Sequence, residues 1–454
     1  MTRHRSAFFC TDCGNETPRW QGQCPACLAW NTLVEEPLQR ADRATAPRSS
    51  ARPAAAPLRL SDVQADEHGR WSTGLAEFDF VLGGGVVPGS VVLVGGEPGI
   101  GKSTLLLQVA ARLEAAGRTV LYVSGEESAA QIRLRADRLL ERAGDVTFLP
   151  ETSLLAVLEA AQRTHPAALF IDSIQTMYLE ELEGAPGNVT QVRECAASLQ
   201  RFAKESGTAV FVIGHVTKGG VVAGPRTLEH IVDTVLYFEG EAGSDHRVLR
   251  ATKNRFGGVD EIGVFRMTAG GLVPVADPSE LFLADRRPGA SGSAVAAVIE
   301  GTRPLLVEVQ ALCTRTSWGS PQRVSNGVDR QRLALLLAVL EKRAGVPFGE
   351  QDVFANVVGG VRVIETASDL ALAAALMSSA LDRELPGDGL FVGEVGLGGE
   401  VRAVPLLDRR LAEAARLGFA RIFVADRGAA LQPPRSLELV RVADLRSLAR
   451  ELFR

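Results

Sequence analysis

The chain has 454 residues, which is more than one hydrophobic core usually covers, so two or three domains are expected. Apolar residues make up 46% of the composition, as in folded globular domains, and the net charge of -5 excludes a protein coated in nucleic-acid-binding charge while leaving room for local basic patches. The sequence has no apolar run of about 18 residues and no apolar core of a secretory signal, so we expect a cytoplasmic protein that does not contact membranes.

The first motif in the chain is a cysteine cluster. Four of the six cysteines form two C-x₂-C pairs separated by ten residues. Four thiolates at this spacing suit a closed, tetrahedral Zn²⁺ site with no open position for catalysis. The alternative is two redox-active pairs without metal. We predict a structural zinc ribbon over residues 1–34 whose ligands are Cys10, Cys13, Cys24 and Cys27.

Composition and pattern then divide the rest of the chain. Residues 35–60 are rich in Ala, Pro, Arg and Ser, which is typical of a flexible linker with little apolar area to bury. Strand-like apolar runs alternate with helix-like segments over residues 61–275, and this alternation favours a mainly parallel sheet covered by helices on both faces. A second α/β pattern occupies residues 276–454.

The first strand of the 61–275 region leads into a glycine-rich segment and then a helix. The segment fits G-x-x-x-x-G-K-[ST], in which glycines let backbone N–H groups face a polyphosphate and the helix N-terminus adds a favourable dipole. Lys102 would reach the β- and γ-phosphates, and Ser103 would hold Mg²⁺. The predicted nucleotide-binding residues are Gly96, Glu97, Pro98, Gly99, Ile100, Gly101, Lys102, Ser103 and Thr104.

Acidic residues follow other strands of the same region. Ligands of such sheets bind at the carboxyl ends of the strands. Asp172 ends an apolar strand, as a Walker B aspartate does when it holds the magnesium shell, whereas Glu126 and Glu127 follow a neighbouring strand. Either glutamate can orient and deprotonate the attacking water; the alternative is that the pair only complements a helix dipole. His215, at another strand end, is either a γ-phosphate sensor or a structural histidine.

Two cationic stretches break the core pattern. Residues 217–226 are rich in glycine and include Lys218 and Arg226, so they suit a mobile loop that binds single-stranded nucleic acid, or a loop tip with no ligand. The stretch Lys-Asn-Arg-Phe-Gly at 253–257 follows a strand-like run. Its cations, Lys253 and Arg255, can complete a phosphate site in a neighbouring subunit in the manner of an arginine finger, which requires a ring or filament.

These features together resemble the RadA (Sms) family of bacterial DNA repair proteins within the RecA superfamily. The cysteine ribbon, the phosphate loop, the 253–257 stretch and the C-terminal region carry the resemblance from Cys10 to about Phe453. It implies an ATP-driven hexameric ring that uses ATP, Mg²⁺ and Zn²⁺, binds single-stranded DNA and promotes branch migration of recombination intermediates with the RecA recombinase. It also implies that Lys253 and Arg255 read the nucleotide of a neighbouring subunit, and that Lys218 and Arg226 lie in the DNA-binding loop.

The C-terminal region looks like the proteolytic domain of Lon. The position of the Lon nucleophilic serine holds Ala367, and the position of its lysine base holds Asp408. Because a serine without a base is a poor nucleophile, Ser368, one position away, does not replace it. The domain is therefore expected to be peptidase-inactive and to support ring assembly and DNA contact. Candidates for a basic face are Arg315, Arg323, Arg330, Arg332, Lys342, Arg343, Arg409 and Arg410.

The predicted fold class is thus α/β: a RecA-like P-loop ATPase core with a small N-terminal zinc ribbon and a C-terminal Lon-protease-like α/β domain. The favoured function is a DNA-dependent ATPase. A regulatory ATPase resembling KaiC would share the phosphate loop and paired glutamates but has neither the ribbon nor the 253–257 stretch. An ATP-dependent protease is disfavoured by Ala367 and Asp408.

Overall fold

The computed structural model describes residues 6–11, 15–37, 69–139, 145–215, 228–240, 245–316, 319–359, 361–427 and 434–453. Within it the chain forms two compact units. The first comprises Met1–Glu239 and Leu249–Pro274, and the second comprises Gly240–Val248 and Val275–Arg454. Most of the predicted linker, together with the ribbon residue Cys13 and the loop residues Lys218 and Arg226, lies outside the described residues.

The N-terminal ribbon is a three-stranded antiparallel sheet. Its strands, in the order β2-β1-β3, are β1 (Ser6–Cys10), β2 (Glu16–Thr17) and β3 (Leu33–Pro37). Side chains alternate along β1, so Ala7 and Phe9 pack in a hydrophobic cluster of the first unit, while Cys10 faces the cysteine cluster. Strand β3 runs to Pro37 and so enters the segment predicted as linker.

A nine-stranded sheet organises the rest of the first unit, in the order β12-β11-β10-β9-β4-β8-β7-β5-β6. The pairs from β9 to β6 are all parallel, and β11 pairs with β12 antiparallel. The strands are β4 (Val91–Gly96), β5 (Val120–Ser124), β6 (Thr147–Leu149), β7 (Ala168–Asp172), β8 (Ala209–His215), β9 (Thr234–Glu239), β10 (His246–Asn254), β11 (Ile262–Thr268) and β12 (Gly271–Pro274).

Helices cover both faces of this sheet. Consecutive residues of β4 join different cores: Val92 and Val94 pack in one buried cluster, and Val91 and Leu93 pack in the other. The two cores explain why the strand is apolar at consecutive positions, and the predicted α/β fold is confirmed. The helices are α1 (Ala76–Val81), α2 (Lys102–Ala115), α3 (Ala129–Leu139), α4 (Leu154–Thr164) and α5 (Val189–Ser206), with a 3₁₀ turn at Ile174–Thr176.

The second unit contains a seven-stranded mixed sheet in the order β15-β16-β14-β13-β17-β20-β21 and a two-stranded sheet of β18 and β19. Strands β13 and β14 form an antiparallel hairpin. The strands are β13 (Ser293–Glu300), β14 (Arg303–Arg315), β15 (Arg323–Asn326), β16 (Gln351–Val357), β17 (Gly389–Val392), β18 (Glu394–Val395), β19 (Val401–Arg402), β20 (Arg421–Ala425) and β21 (Glu438–Val442).

Helices also cover this second sheet. The most apolar of them is α8, which is buried over most of its length against β13 and β14. The helices are α6 (Pro278–Leu283), α7 (Arg330–Val339), α8 (Asp369–Leu381), α9 (Leu407–Arg416) and α10 (Leu445–Leu452), with a π turn at Leu340–Ala344 and a 3₁₀ turn at Thr366–Ser368. None of the helices in the described ranges combines the length and apolar character that crossing a bilayer would need.

Candidate nucleotide site

The phosphate loop lies between the end of β4 and the start of α2. Its backbone requires glycine, because Gly96, Gly99 and Gly101 have φ values of 152°, 77° and 118°. A Cβ at Gly96 would also lie 2.8 Å from the carbonyl oxygen of Phe238. Among the described residues no side chain caps the first turn of α2, so its backbone N–H groups remain suited to an anion.

Lys102 is held against this loop. Its Nζ donates hydrogen bonds to the carbonyl oxygens of Gly96 at 3.0 Å and Glu97 at 2.9 Å, and only 3% of the residue is exposed. Burial lowers the pKa of Lys102 to about 8, against the charges of Asp172 and Glu126, which raise it. The ammonium therefore occupies a site where an approaching polyphosphate would supply the missing negative charge.

Asp172 ends β7 beside the first residues of α2. Burial raises the pKa of Asp172, and hydrogen bonds from Ser103 and Tyr122 oppose this shift. The Tyr122 hydroxyl donates to Asp172 Oδ2 at 2.8 Å from the neighbouring strand β5, and Tyr122 is fully buried. Ser103 and Asp172 thus bring a hydroxyl and a carboxylate together, which is the oxygen donor set that Mg²⁺ prefers.

The two glutamates that follow β5 have different surroundings. Glu126 Oε1 accepts a hydrogen bond from the Ser173 hydroxyl and lies 3.3 Å from His215 Nε2, at the end of β8. Its pKa is lowered to about 2, chiefly by His215; burial raises it, and Ser173 and Lys102 lower it further. Glu126 is therefore a carboxylate at neutral pH, and its charge interacts with that of Lys102 in the phosphate loop.

Glu127 faces α3 instead. One of its carboxylate oxygens pairs with Nη2 of Arg135, and its backbone N–H donates to the Ser124 hydroxyl at 3.3 Å. The paired glutamates are thus divided by geometry, because successive side chains leave the strand end in different directions. Only Glu126 is in contact with the strand ends β7 and β8 that border the site.

The 253–257 stretch lies at the amino ends of the parallel strands, whereas the phosphate loop lies at their carboxyl ends. Arg255 Nη1 pairs with Asp233 Oδ1 at 3.0 Å, and the other oxygen of Asp233 accepts from the backbone N–H of Val91, the first residue of β4. Lys253 Nζ donates to the carbonyl oxygens of Glu229 at 2.5 Å and Val232 at 2.8 Å.

This position determines what Lys253 and Arg255 can reach. Strand β4 runs from Val91 to Gly96, and a strand rises about 3.3 Å per residue, so about 17 Å of strand separates this edge from the phosphate loop. The two cations therefore do not lie at the phosphate loop of their own chain. About half of the Arg255 side chain is exposed to solvent.

The ribbon gathers its described cysteines. The Sγ atoms of Cys10, Cys24 and Cys27 all lie within 4.8 Å of one another, and those of Cys10 and Cys27 are 3.6 Å apart. Tetrahedral Zn²⁺ with Zn–S bonds of about 2.3 Å holds its sulfurs about 3.8 Å apart, so these thiols fit that ion. The fourth predicted ligand, Cys13, lies outside the described residues.

The positions that correspond to the Lon catalytic pair carry no such chemistry. Ala367 is buried in a 3₁₀ turn, and Asp408 is exposed in the first turn of α9. Ser368 donates its hydroxyl to the carbonyl oxygen of Glu365 at 2.8 Å. No lysine or histidine side chain is recorded in contact with this serine in the described chain.

The proposed basic face needs correction at two arginines. Arg410 is fully buried, where its guanidinium pairs with Glu365 and donates to the Ala297 carbonyl oxygen at 2.6 Å. Arg332 pairs with the buried Asp369 through two hydrogen bonds. The prediction that Arg410 faces DNA is wrong, because its charge is already neutralised inside the fold, and Arg332 is committed to a similar pair.

Four residues that contact the predicted site residues were not anticipated from the sequence: Ser173, Tyr122, Arg135 and Asp233. Ser173 directly follows the predicted Walker B aspartate, and that adjacency was an available signal. Tyr122 and Arg135 have no local signal, since only the pairing of β5 with β7 and the packing of α3 bring them to the site. Asp233 precedes β9, and its role depends on the parallel neighbour β4.

Comparison with known proteins supports the two predicted modules. A family model described as an AAA domain matches residues 54–221, and one described as a rubredoxin metal binding domain matches residues 8–35. The cofactors are accordingly ATP with Mg²⁺ in the first and Zn²⁺ in the second.

Full-length relatives are also found. The chain is 51% identical over 453 residues to the DNA repair protein RadA of Pseudomonas aeruginosa, covering 100% of both chains. It is 48% identical over 448 residues to the DNA repair protein RadA of Bacillus subtilis, covering 98% of both. A crystal structure of the RadB recombinase is 24% identical and covers 45% of this chain and 99% of that one, but its TM-score of 0.35 is too low to assign a fold.

Proposed function

Because the chain belongs to the RadA family of DNA repair proteins, we propose that it is a DNA-dependent ATPase acting in homologous recombination and DNA repair. It binds single-stranded and branched DNA and drives branch migration of recombination intermediates with a RecA recombinase. The observation that carries the ATPase assignment is the convergence of Lys102, Asp172 and Glu126 on one edge of the parallel sheet.

Each side chain at this edge has a distinct role in hydrolysis. Lys102 leaves the loop carbonyls and binds the β- and γ-phosphates. Ser103 and Asp172 would hold Mg²⁺, which would neutralise phosphate charge. Glu126 orients the attacking water and accepts its proton. A carboxylate with a pKa of about 2 is a weak base, so positioning of the water is its larger contribution.

His215 and Ser173 position Glu126. The ring of His215 lies against one carboxylate oxygen, and the Ser173 hydroxyl donates to the same oxygen. In the sequence, the predicted DNA loop with Lys218 and Arg226 begins two residues after His215. A change in that loop on DNA binding would therefore move a residue that touches Glu126, which gives DNA a route to the hydrolytic step.

Lys253 and Arg255 act on the nucleotide of a neighbouring subunit. Because they lie at the amino ends of the strands, these two side chains do not contact the phosphate loop of their own chain. The exposure of Arg255 leaves it available to another copy. A closed hexameric ring brings these edges together, with the zinc ribbon as a structural module. The second unit serves as a scaffold without peptidase activity, since Ala367 and Asp408 provide neither nucleophile nor base.

ATP hydrolysis by the purified chain, measured with and without single-stranded DNA, tests the function. We expect DNA to stimulate hydrolysis, with Lys102→Ala inactive in both conditions. Hydrolysis that is indifferent to DNA would favour the regulatory ATPase class that resembles KaiC. Casein digestion that requires ATP, persists in the purified protein and is lost in Ser368→Ala would contradict the scaffold role of the second unit.

Mixing two inactive variants tests the action between subunits. Lys102→Ala lacks the phosphate-binding cation but keeps the finger, whereas Arg255→Ala keeps an intact phosphate loop. If the finger acts in trans, mixed oligomers contain intact interfaces and regain part of the DNA-stimulated activity. Activity that is no greater than that of the separate variants would contradict the action of Arg255 on a neighbouring subunit. Asp233→Asn is the matched control, because it removes the partner of Arg255 and keeps the finger.

A further inference from the structure

One face of the second sheet has an exposed apolar row across three strands. Leu312 on β14 pairs with Phe354 on β16, and Phe354 pairs with Val324 on β15. Paired residues of a sheet project to the same face, so the three side chains form one row. Leu312 is 60% exposed and Val324 is 47% exposed. The opposite face is covered, because Cys313, the next residue on β14, contacts α8 at Leu376.

A cavity of about 380 Å³ lies beside this row, with Leu312 and Phe354 in its wall. Glu308, on the same face of β14, is 3% exposed and also lines the cavity. One of its oxygens accepts the Ser293 hydroxyl at 2.5 Å. Among the described residues its second oxygen has no hydrogen-bond partner, so this oxygen of a largely buried side chain remains available to the cavity.

No arginine or lysine of the described residues forms an ion pair with Glu308. The charge of Glu308 raises the pKa of Arg286 against the effect of burial. The Arg286 guanidinium, however, donates to the Gly387 carbonyl oxygen at 2.9 Å and lies over the ring of Phe419. Arg287 lines the cavity but is exposed, and no ion pair with Glu308 is recorded in the described ranges. A largely buried carboxylate that no cation hydrogen-bonds is stabilised by one that does, so the cavity favours a positively charged ligand.

We propose that this cavity binds an arginine side chain presented by a protein partner, whose flanking apolar residues cover the row of Leu312, Phe354 and Val324. A guanidinium can donate two hydrogen bonds to a carboxylate, reach the amides of Gln310 and Asn356, and stack on an aromatic ring.

Two observations select this ligand over others. Glu308 and Asp285 both line the cavity and repel a phosphate backbone, which argues against nucleic acid. A free small cation would satisfy Glu308 but would leave the exposed apolar row uncovered. A peptide segment with an arginine between apolar residues matches both the charge of the cavity and the surface beside it.

Fluorescence anisotropy of the full chain with two labelled peptides tests the proposal. One peptide carries arginine between two leucines, and the other carries citrulline, which keeps the shape but has no charge. We expect saturable binding of the arginine peptide, with the citrulline peptide and the Glu308→Gln variant each at least about tenfold weaker. Glu350→Gln, an exposed acidic residue outside the cavity, is the matched control and should bind normally.

Equal binding of the two peptides, or no saturation up to about 1 mM, would overturn the proposal. Leu312→Ser and Asp285→Asn are surface changes that keep the test decisive if Glu308→Gln does not fold, and each should weaken binding of the arginine peptide. If peptide binding is absent and Leu312→Ser instead lowers the oligomer mass in sedimentation, the row is occupied by another copy of the chain, which also contradicts a partner protein.

Discussion

Both units bury charged side chains, but they treat those charges differently. In the first unit Lys102 and Asp172 are almost fully buried, and among the described residues Lys102 donates to two backbone carbonyls. In the second unit Arg410 is fully buried and pairs with Glu365, and Arg332 pairs with Asp369. The first arrangement leaves buried charges that a nucleotide and a metal ion can neutralise, whereas in the second the buried charges neutralise each other.

This difference explains why similar residue types give a reactive site in one unit and a scaffold in the other. An unpaired buried cation shifts its pKa and gains interaction energy when an anion arrives. A paired buried cation has nothing to gain from a ligand, and removing its partner leaves a charge in a low-dielectric interior. Substitutions in the two units should therefore have opposite consequences for activity and stability.

Lys102→Ala should produce the largest effect. The phosphates lose their cation, so ATP hydrolysis should fall by at least about 100-fold, measured as phosphate release. The unfolding free energy should stay the same or rise, because the variant also removes an unpaired buried charge. Lys204→Ala, at an exposed position on α5, should retain full activity. A large loss of stability in Lys102→Ala would remove the contrast between the units.

Glu126→Gln should come next. Loss of the water-positioning carboxylate should lower kcat by about 100-fold or more, with little change in KM. Glu127→Gln should lower kcat by less than about tenfold, because Glu127 faces Arg135 rather than the phosphate loop. Single-turnover hydrolysis in both variants measures this difference directly. Equal losses would show that the two glutamates are not separated in function.

Arg410→Ala should affect stability rather than chemistry. Removing the cation that pairs with Glu365 should cost about 3–5 kcal/mol of local stability, read from hydrogen exchange of α9 in the full chain. The neighbouring, exposed Arg409→Ala should cost less than about 0.5 kcal/mol. The double change of Arg410 and Glu365 to leucine should recover much of the loss. No change in hydrogen exchange for Arg410→Ala would mean that the Arg410–Glu365 pair does not stabilise the fold.

The smallest effect is a pH dependence of kcat/KM. In the free protein Lys102 is protonated below its pKa of about 8 and loses its charge as the pH rises through that value. Since the charged form binds phosphate, kcat/KM should fall by about fivefold between pH 8 and pH 9. Lys102→Arg, whose side chain stays charged, should lack this fall even if its overall rate is lower. A flat wild-type profile to pH 9 would contradict the lowered pKa.

The sequence alone predicted features whose chemistry is local. The spacing of Cys10, Cys24 and Cys27 indicated zinc, because ligand spacing within a short loop sets the geometry. The residues from Gly96 to Thr104 indicated a phosphate loop, because a glycine-rich turn followed by a helix binds phosphate through its own backbone. The alternation of apolar strands and helices indicated an α/β fold with a sheet covered on both faces.

Tertiary structure decided the features that depend on which strands become neighbours. Nothing local separates Glu126 from Glu127; the difference arises because β7 and β8 bring Ser173 and His215 to one of them. Arg410 is exposed or buried according to how α9 packs on β13, so its sequence could suggest DNA contact when the fold neutralises it. Strand order is set by long-range packing, and local patterns carry no information about distant partners.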